Sequence, residues 1–237
     1  MSSSAYSQPC FTIFGGPNGS GKSTAYDRFL QAGFDSGEYL NPDEIARSLN
    51  AGSAAGTAVD LRAGREVVQR TRSLIAEGRS LVRESTLTSR EIVRSAERAK
   101  AVGYRLVMVF VAVSSSYMTQ GRVAIRVAKG GHDIPVEAQE RRFPRSFENA
   151  PRVARLVDAA YFLDNAGLWH KLVATVRGGT ITFLDLHDAG WVEQATTGLP
   201  RAARLKSRDE ALADLRETEG LSEELRLREE RSGYVAA

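Results

Sequence analysis

Residues 16–23 read Gly-Pro-Asn-Gly-Ser-Gly-Lys-Ser and fill every position of the pattern G-x-x-x-x-G-K-[ST]. The chemistry of that pattern is phosphate binding. Gly16, Gly19 and Gly21, with Pro17, Asn18 and Ser20 between them, let backbone N–H groups wrap phosphate oxygens. Lys22 supplies a cation to the β- and γ-oxygens, and the hydroxyl of Ser23 supplies a ligand for Mg²⁺. A turn that only joined a strand to a helix would have no need of Lys followed by Ser. The third glycine of a dinucleotide fingerprint is replaced by Thr24, so the pattern points to ATP or GTP rather than NAD.

Two acids stand where such a loop could use them. Asn41-Pro42-Asp43 follows a short expected strand, and a carboxylate there could take the proton of a hydroxyl that attacks the γ-phosphate. Asp43 could equally cap the helix that begins with Glu44-Ile45-Ala46. Glu84 ends another expected strand in Arg83-Glu84-Ser85-Thr86, and could bind substrate hydroxyls, hold Mg²⁺ through water, or face solvent. Counter-charges come later: Arg122, Arg126, Lys129, His132, Arg141, Arg142 and Arg145 form a basic cluster around Gly130-Gly131. Mobile arginines offset the charge that phosphoryl transfer spreads over the γ-oxygens. The ordinary alternative is a solvated basic face, with His132 as a loop hydrogen-bonder. The acid expected at the end of the most apolar strand is missing, because 104–113 runs into Ser114-Ser115.

The elements that must position these groups alternate between strand and helix. The run 10–14 is β-branched and aromatic and ends at Gly15-Gly16; 22–32 has helical apolar spacing and stops at Gly33. Further strands are expected at 38–40, 80–84, 104–113 and 161–163, with helices at 43–50, 57–77, 89–102, 115–129 and from about 136. The apolarity of 104–113 is continuous, which marks a strand covered on both faces. The result is a three-layer α/β fold of the P-loop NTPase type with a mainly parallel sheet of about five strands. Gly178-Gly179, between two β-rich runs, predicts a hairpin. The expected division is a kinase-like core over 1–165, a hairpin extension over 166–200 and a charged helical tail over 201–237. The tail has Leu205, Leu212, Leu215, Leu221, Leu225 and Leu227 at helical spacing, with Gly220 dividing two expected helices. Such helices could cover the core or lie across the nucleotide cleft as a restraint.

Composition narrows the class. The 237 residues are 42% hydrophobic and 26% charged, which excludes collagen-like and wholly disordered chains. No apolar run approaches the ~20 residues of a membrane span, and the polar start lacks a secretory pattern. A single cysteine, Cys10, excludes an internal disulfide and suits a small core position in a reducing cytoplasm. A net charge of +3, with no aromatic basic stripe, argues against a nucleic-acid partner.

The motifs in residues 16–24, Asn41-Pro42-Asp43-Glu44-Ile45, Glu84-Ser85-Thr86-Leu87 and the stretch 122–149 together resemble the zeta toxin family, over about residues 11–165. That resemblance implies a Mg²⁺- and ATP-dependent kinase whose acceptor is a hydroxyl of a nucleotide-activated sugar such as UDP-N-acetylglucosamine. It also implies a small helical antitoxin that covers the ATP site. By the same resemblance Lys22 and Arg122 serve the transferred phosphate, with Arg126, Arg142 and Arg145 on the nucleotide side. Asp43 is the base, and Asn41, Glu84, Thr86 and His132 belong with the acceptor. The segment Ser85-Thr86-Leu87-Thr88-Ser89 departs from the substrate-binding groups the family often carries there, and the tail has no evident counterpart. Two other readings stay open: a P-loop kinase for another small molecule or a nucleic-acid end, and an ATP-gated binding protein without acceptor chemistry.

Overall fold

The structure, a computed structural model, describes residues 8–35, 37–49, 57–131, 133–187, 189–223, 225 and 227. Among the described residues seven strands are formed: β1 (Cys10–Gly15), β2 (Glu38–Leu40), β3 (Leu81–Ser85), β4 (Arg105–Ala112), β5 (Ala159–Asp164), β6 (Lys171–Arg177) and β7 (Thr180–Leu184). Eight helices accompany them there: α1 (Lys22–Gln31), α2 (Pro42–Leu49), α3 (Thr57–Ala76), α4 (Glu91–Ala101), α5 (Ser116–Ala128), α6 (Val136–Leu156), α7 (Trp191–Ala195) and α8 (Arg208–Glu219).

The sheet order is β2-β3-β1-β4-β5-β6-β7. The first five strands are parallel, and β6 and β7 add to the β5 edge antiparallel. The expected mainly parallel α/β sheet and the hairpin are both formed; only the count of about five strands is corrected, because the hairpin pairs with the open edge of β5 and extends the sheet to seven strands among the described residues.

Parallel strands need both faces covered, and the two apolar clusters do this. Phe11, Ile13, Leu81, Met108 and Phe110 meet α3, α4, α6 and α7 on one face. Phe14, Val82, Val109 and Tyr161 meet Ala25 and Phe29 of α1, and Leu212 and Leu215 of α8, on the other. The chain leaves β1 toward β2 on one side and leaves β4 toward β5 on the other. Open α/β sheets bind ligands where the connections diverge in this way, above the C-terminal strand ends.

The tail belongs to the second face. Ser207 and Glu210 form a capping box at the start of α8, and Gly220 closes it in the left-handed region at φ 64°. The described residues beyond Gly220 are not helical, so the second expected tail helix is absent there; Leu221, Leu225 and Leu227 nevertheless enter the core. Glu219 is buried and receives both Arg105 Nη1 (3.0 Å) and Nη2 (2.6 Å), and the Tyr161 hydroxyl at 2.7 Å. Among the described residues no helix is long and apolar enough to cross a membrane.

Candidate active site

Residues 16–21 leave β1 as a loop that turns into α1 at Lys22. Its glycines are required, Gly16 and Gly21 most tightly. A Cβ on Gly16, at φ +139°, would lie 2.0 Å from the Val111 carbonyl oxygen, and one on Gly21, at φ +97°, would lie 2.2 Å from Asn165 Nδ2. Asn165 itself fixes the loop, donating from Nδ2 to the Ser20 carbonyl at 2.8 Å. The start of α1 directs its free N–H groups into the same place.

A cavity of about 610 Å³ opens above these strand ends. Asn18, Gly19, Gly21, Lys22, Ser23 and Thr24 form its floor. Asn41, Asp43, Glu84, Thr86, Arg122, Arg126 and Arg142 form its walls, with Asn165 beside them. The loop, the two acids and three of the basic residues singled out from sequence therefore converge. Arg145 does not line the cavity and is exposed: it stands three residues past Arg142, about 4.5 Å further along α6. Gly16, Pro17 and Ser20 support the loop without lining the cavity. His132 lies outside the described residues.

Lys22 is buried and donates from Nζ to the Pro17 carbonyl at 2.9 Å. Burial pushes its pKa down, while Glu84 and Asp43 raise it and Arg126 lowers it. Glu84 ends β3 beside β1, where it accepts hydrogen bonds from Ser23 and from the Tyr39 hydroxyl. Burial raises its pKa against the opposing effects of Lys22, Tyr39 and Ser23. Glu84, one of the two acids singled out from sequence, thus stands at the end of the strand that flanks β1 opposite β4. Tyr39 is held by a face-to-face stack on Tyr26, with centroids 3.9 Å apart, and accepts from Asn41 Nδ2 at 3.2 Å. Burial and the Glu84 carboxylate drive the Tyr39 pKa up, so the phenol keeps its proton to donate.

The capping alternative for Asp43 is corrected. Helix α2 begins at Pro42, and it is Asn41 Oδ1 that accepts the Asp43 N–H, at 2.9 Å. The Asp43 carboxylate is left to face the cavity, where Oδ2 pairs with Arg126 Nη1 at 2.9 Å. Arg122 donates from Nη2 to the Asn165 carbonyl at 2.7 Å, and its buried Nη1 has no hydrogen-bond partner among the described residues.

Thr86 sits in the turn after β3. Leu87 follows it at φ 56°, fully buried, a conformation costly for a γ-branched side chain. Three bonds fix it: Ser85 Oγ accepts from Leu87 N (3.1 Å), Ser146 Oγ donates to the Thr86 carbonyl (2.6 Å), and Asn149 Nδ2 donates to the Leu87 carbonyl (2.7 Å). Sequence reasoning missed Tyr39, Asn165 and Arg83, all at or near the C-terminal ends of parallel strands.

The residues fit a nucleotide with its metal. The glycine cradle admits no side chains, Arg122 has a buried donor to spare, and Ser23 with Glu84 offers hard oxygen ligands.

Among solved structures, the crystal structure of AvrRxo1-ORF1:-ORF2 with ATP is 18% identical with a TM-score of 0.63, and the match covers 80% of this chain and 64% of that chain. A second AvrRxo1-ORF1:AvrRxo1-ORF2 structure, with sulphate ions, is 19% identical with a TM-score of 0.63 and the same coverage of 80% and 64%. A structure of the PezAT chromosomal toxin-antitoxin system of Streptococcus pneumoniae is 13% identical with a TM-score of 0.56, covering 91% of this chain and 87% of that one. At these identities the likeness is one of fold, and the chain spans 64% of the AvrRxo1 chain it matches. No curated protein matches the sequence. The model of the zeta toxin family matches residues 2–171, most of the chain, and the protein is therefore a member of the zeta toxin family.

Proposed function

We propose that the protein is an ATP-dependent kinase that phosphorylates a hydroxyl of a small, nucleotide-activated sugar, with UDP-N-acetylglucosamine as the first acceptor to try. The observation that carries this reading is the meeting, in one cavity, of a phosphate loop with a carboxylate, Asp43, that no helix cap occupies. Family membership and the fold shared with AvrRxo1-ORF1:-ORF2 with ATP support the nucleotide.

In this mechanism Lys22, the loop N–H groups and Arg122 bind the β- and γ-phosphates. Asp43 accepts the proton of the acceptor hydroxyl as its oxygen bonds to the γ-phosphorus and the bond to the β–γ bridging oxygen breaks, releasing ADP. Arg126 holds the Asp43 carboxylate in the cavity and offsets charge on the transferred group. Tyr39 and Asn41 brace Glu84 beside the phosphate loop, and Thr86 lines the same cavity. Ser23, with Glu84 through water, would hold Mg²⁺, which would neutralise developing phosphate charge when bound. A small helical antitoxin over the nucleotide cleft is the protein partner that accompanies this reading, supported by the fold shared with PezAT.

Lys22→Ala tests the nucleotide half. ATP consumption should be lost while the thermal melt stays close to that of the unmodified protein. Near-normal turnover in the folded variant would overturn the assignment.

A further inference from the structure

Arg83 is a charged residue inside an apolar row. On β3 it stands between Ile13 of β1 and Leu40 of β2, on the sheet face that packs α3 and α4. Its side chain is only 9% exposed. Nη2 pairs with Glu91 of α4 at 2.5 Å, and Glu91 is held in turn by Ser95 Oγ at 2.6 Å. Nε and Nη1 are buried and have no hydrogen-bond partner among the described residues. A guanidinium cannot shed its proton to escape burial, and buried donors left unmade cost free energy. The same side chain lines the cavity beside Ala63, Thr86 and Thr88. Glu84, the next residue, points to the opposite sheet face, toward Tyr39 and the loop. Arg83 therefore sits on the acceptor side of the cavity, away from the nucleotide cradle.

We infer that Arg83 is a specificity-determining residue that binds a phosphoryl oxyanion of the acceptor, its unused N–H groups meeting phosphate oxygens. The acceptor would then carry phosphate before the reaction, either as the diphosphate of a nucleotide sugar or as the monoester of a sugar phosphate. Glu91 keeps the guanidinium oriented while the cavity is open, and arginine's planar donors suit oxyanions better than lysine's point charge. The inference rests on the kinase reading and specifies its substrate class.

The test uses the full chain with Mg²⁺ and saturating AMP-PNP, so that the phosphate loop is filled before the probe is added. UDP and a hexose 6-phosphate are titrated calorimetrically into the wild type, Arg83→Lys, and the double variant Arg83→Met with Glu91→Gln, which leaves no unpaired buried carboxylate. One probe should bind the wild type and bind both variants ~10–100-fold more weakly, as loss of charged hydrogen bonds implies. AMP-PNP affinity should be unchanged. UDP binding identifies a diphosphate acceptor, and hexose phosphate binding a monoester. If the double variant does not fold, Arg83→Lys decides alone. Equal probe affinity in wild type and variants, or a wild type that binds AMP-PNP but neither probe, would overturn the inference. Failure of the wild type to bind AMP-PNP would instead overturn the kinase reading itself.

Discussion

Asp43 Oδ2 lies 2.9 Å from Arg126 Nη1, an ion pair that reaches from α2 to α5 across the mouth of the cavity. Both side chains are about one-third exposed, 36% and 37%, so the pair is solvated enough to exchange partners when phosphate arrives. The acid can thus be oriented by the same cation that later faces the transferred group.

The division of labour between Asn41 and Asp43 gives the first prediction. Asn41→Ala removes the cap of α2 and the bond to Tyr39, and should cost ~1 kcal/mol of stability. Asp43→Asn keeps the cap and should leave stability within ~0.5 kcal/mol of the wild type, yet lower turnover ~10²–10⁴-fold. Denaturant melts and initial rates on the two variants check both halves.

His170 gives a pH dependence. It is buried after β5, its Nδ1 accepts from Arg28 Nη1 at 2.9 Å, and burial followed by the Arg28 charge lowers its pKa from 6.5 to about 4. Because the folded value is the lower one, the unfolded chain binds the proton first. Stability is complete above pH 6.5 and falls as the pH drops from there toward 4, by roughly 3 kcal/mol in total. His170→Gln, which keeps an acceptor for Arg28, should flatten the melting temperature over that window.

The buried Arg105–Glu219 pair makes the tail structural. Removing one partner of such a pair typically costs ~3–5 kcal/mol, so Glu219→Ala should lower the denaturation midpoint sharply while leaving the acceptor KM of the folded fraction unchanged. Deleting the chain after Pro200 strips Ala211, Leu212 and Leu215 from the core and should yield insoluble protein. None of the described tail residues lines the active-site cavity, so no gain in activity is expected.

Much of the fold is legible in the sequence. The phosphate loop is written in contiguous residues, and the periodicity of strands and helices placed β2 at its observed limits and the hairpin turn at Gly178-Gly179. What failed depended on strand order, which local sequence does not encode. Glu84 was legible as an acid at a strand end, but that β3 flanks β1, so that Glu84 reaches Ser23, was not. The capping alternative at Asp43 falls two residues past the cap, and Pro42, suited to the first helical position, is the signal in the sequence that points to Asn41. Arg83 went unnoticed because the burial of a charge within a strand depends on what α3 and α4 lay over it.

The most direct test is mass-resolved phosphoryl transfer. Wild-type protein and Asp43→Asn are incubated with Mg²⁺, ATP and UDP-N-acetylglucosamine, then with a pool of other phosphorylated sugars. Asp43 acting as base toward an acceptor hydroxyl predicts an acceptor heavier by one phosphoryl group, matched by ADP, in the wild type and near-absent in the variant. ATP hydrolysed to phosphate with no acceptor gaining mass, or equal transfer by Asp43→Asn, would contradict it.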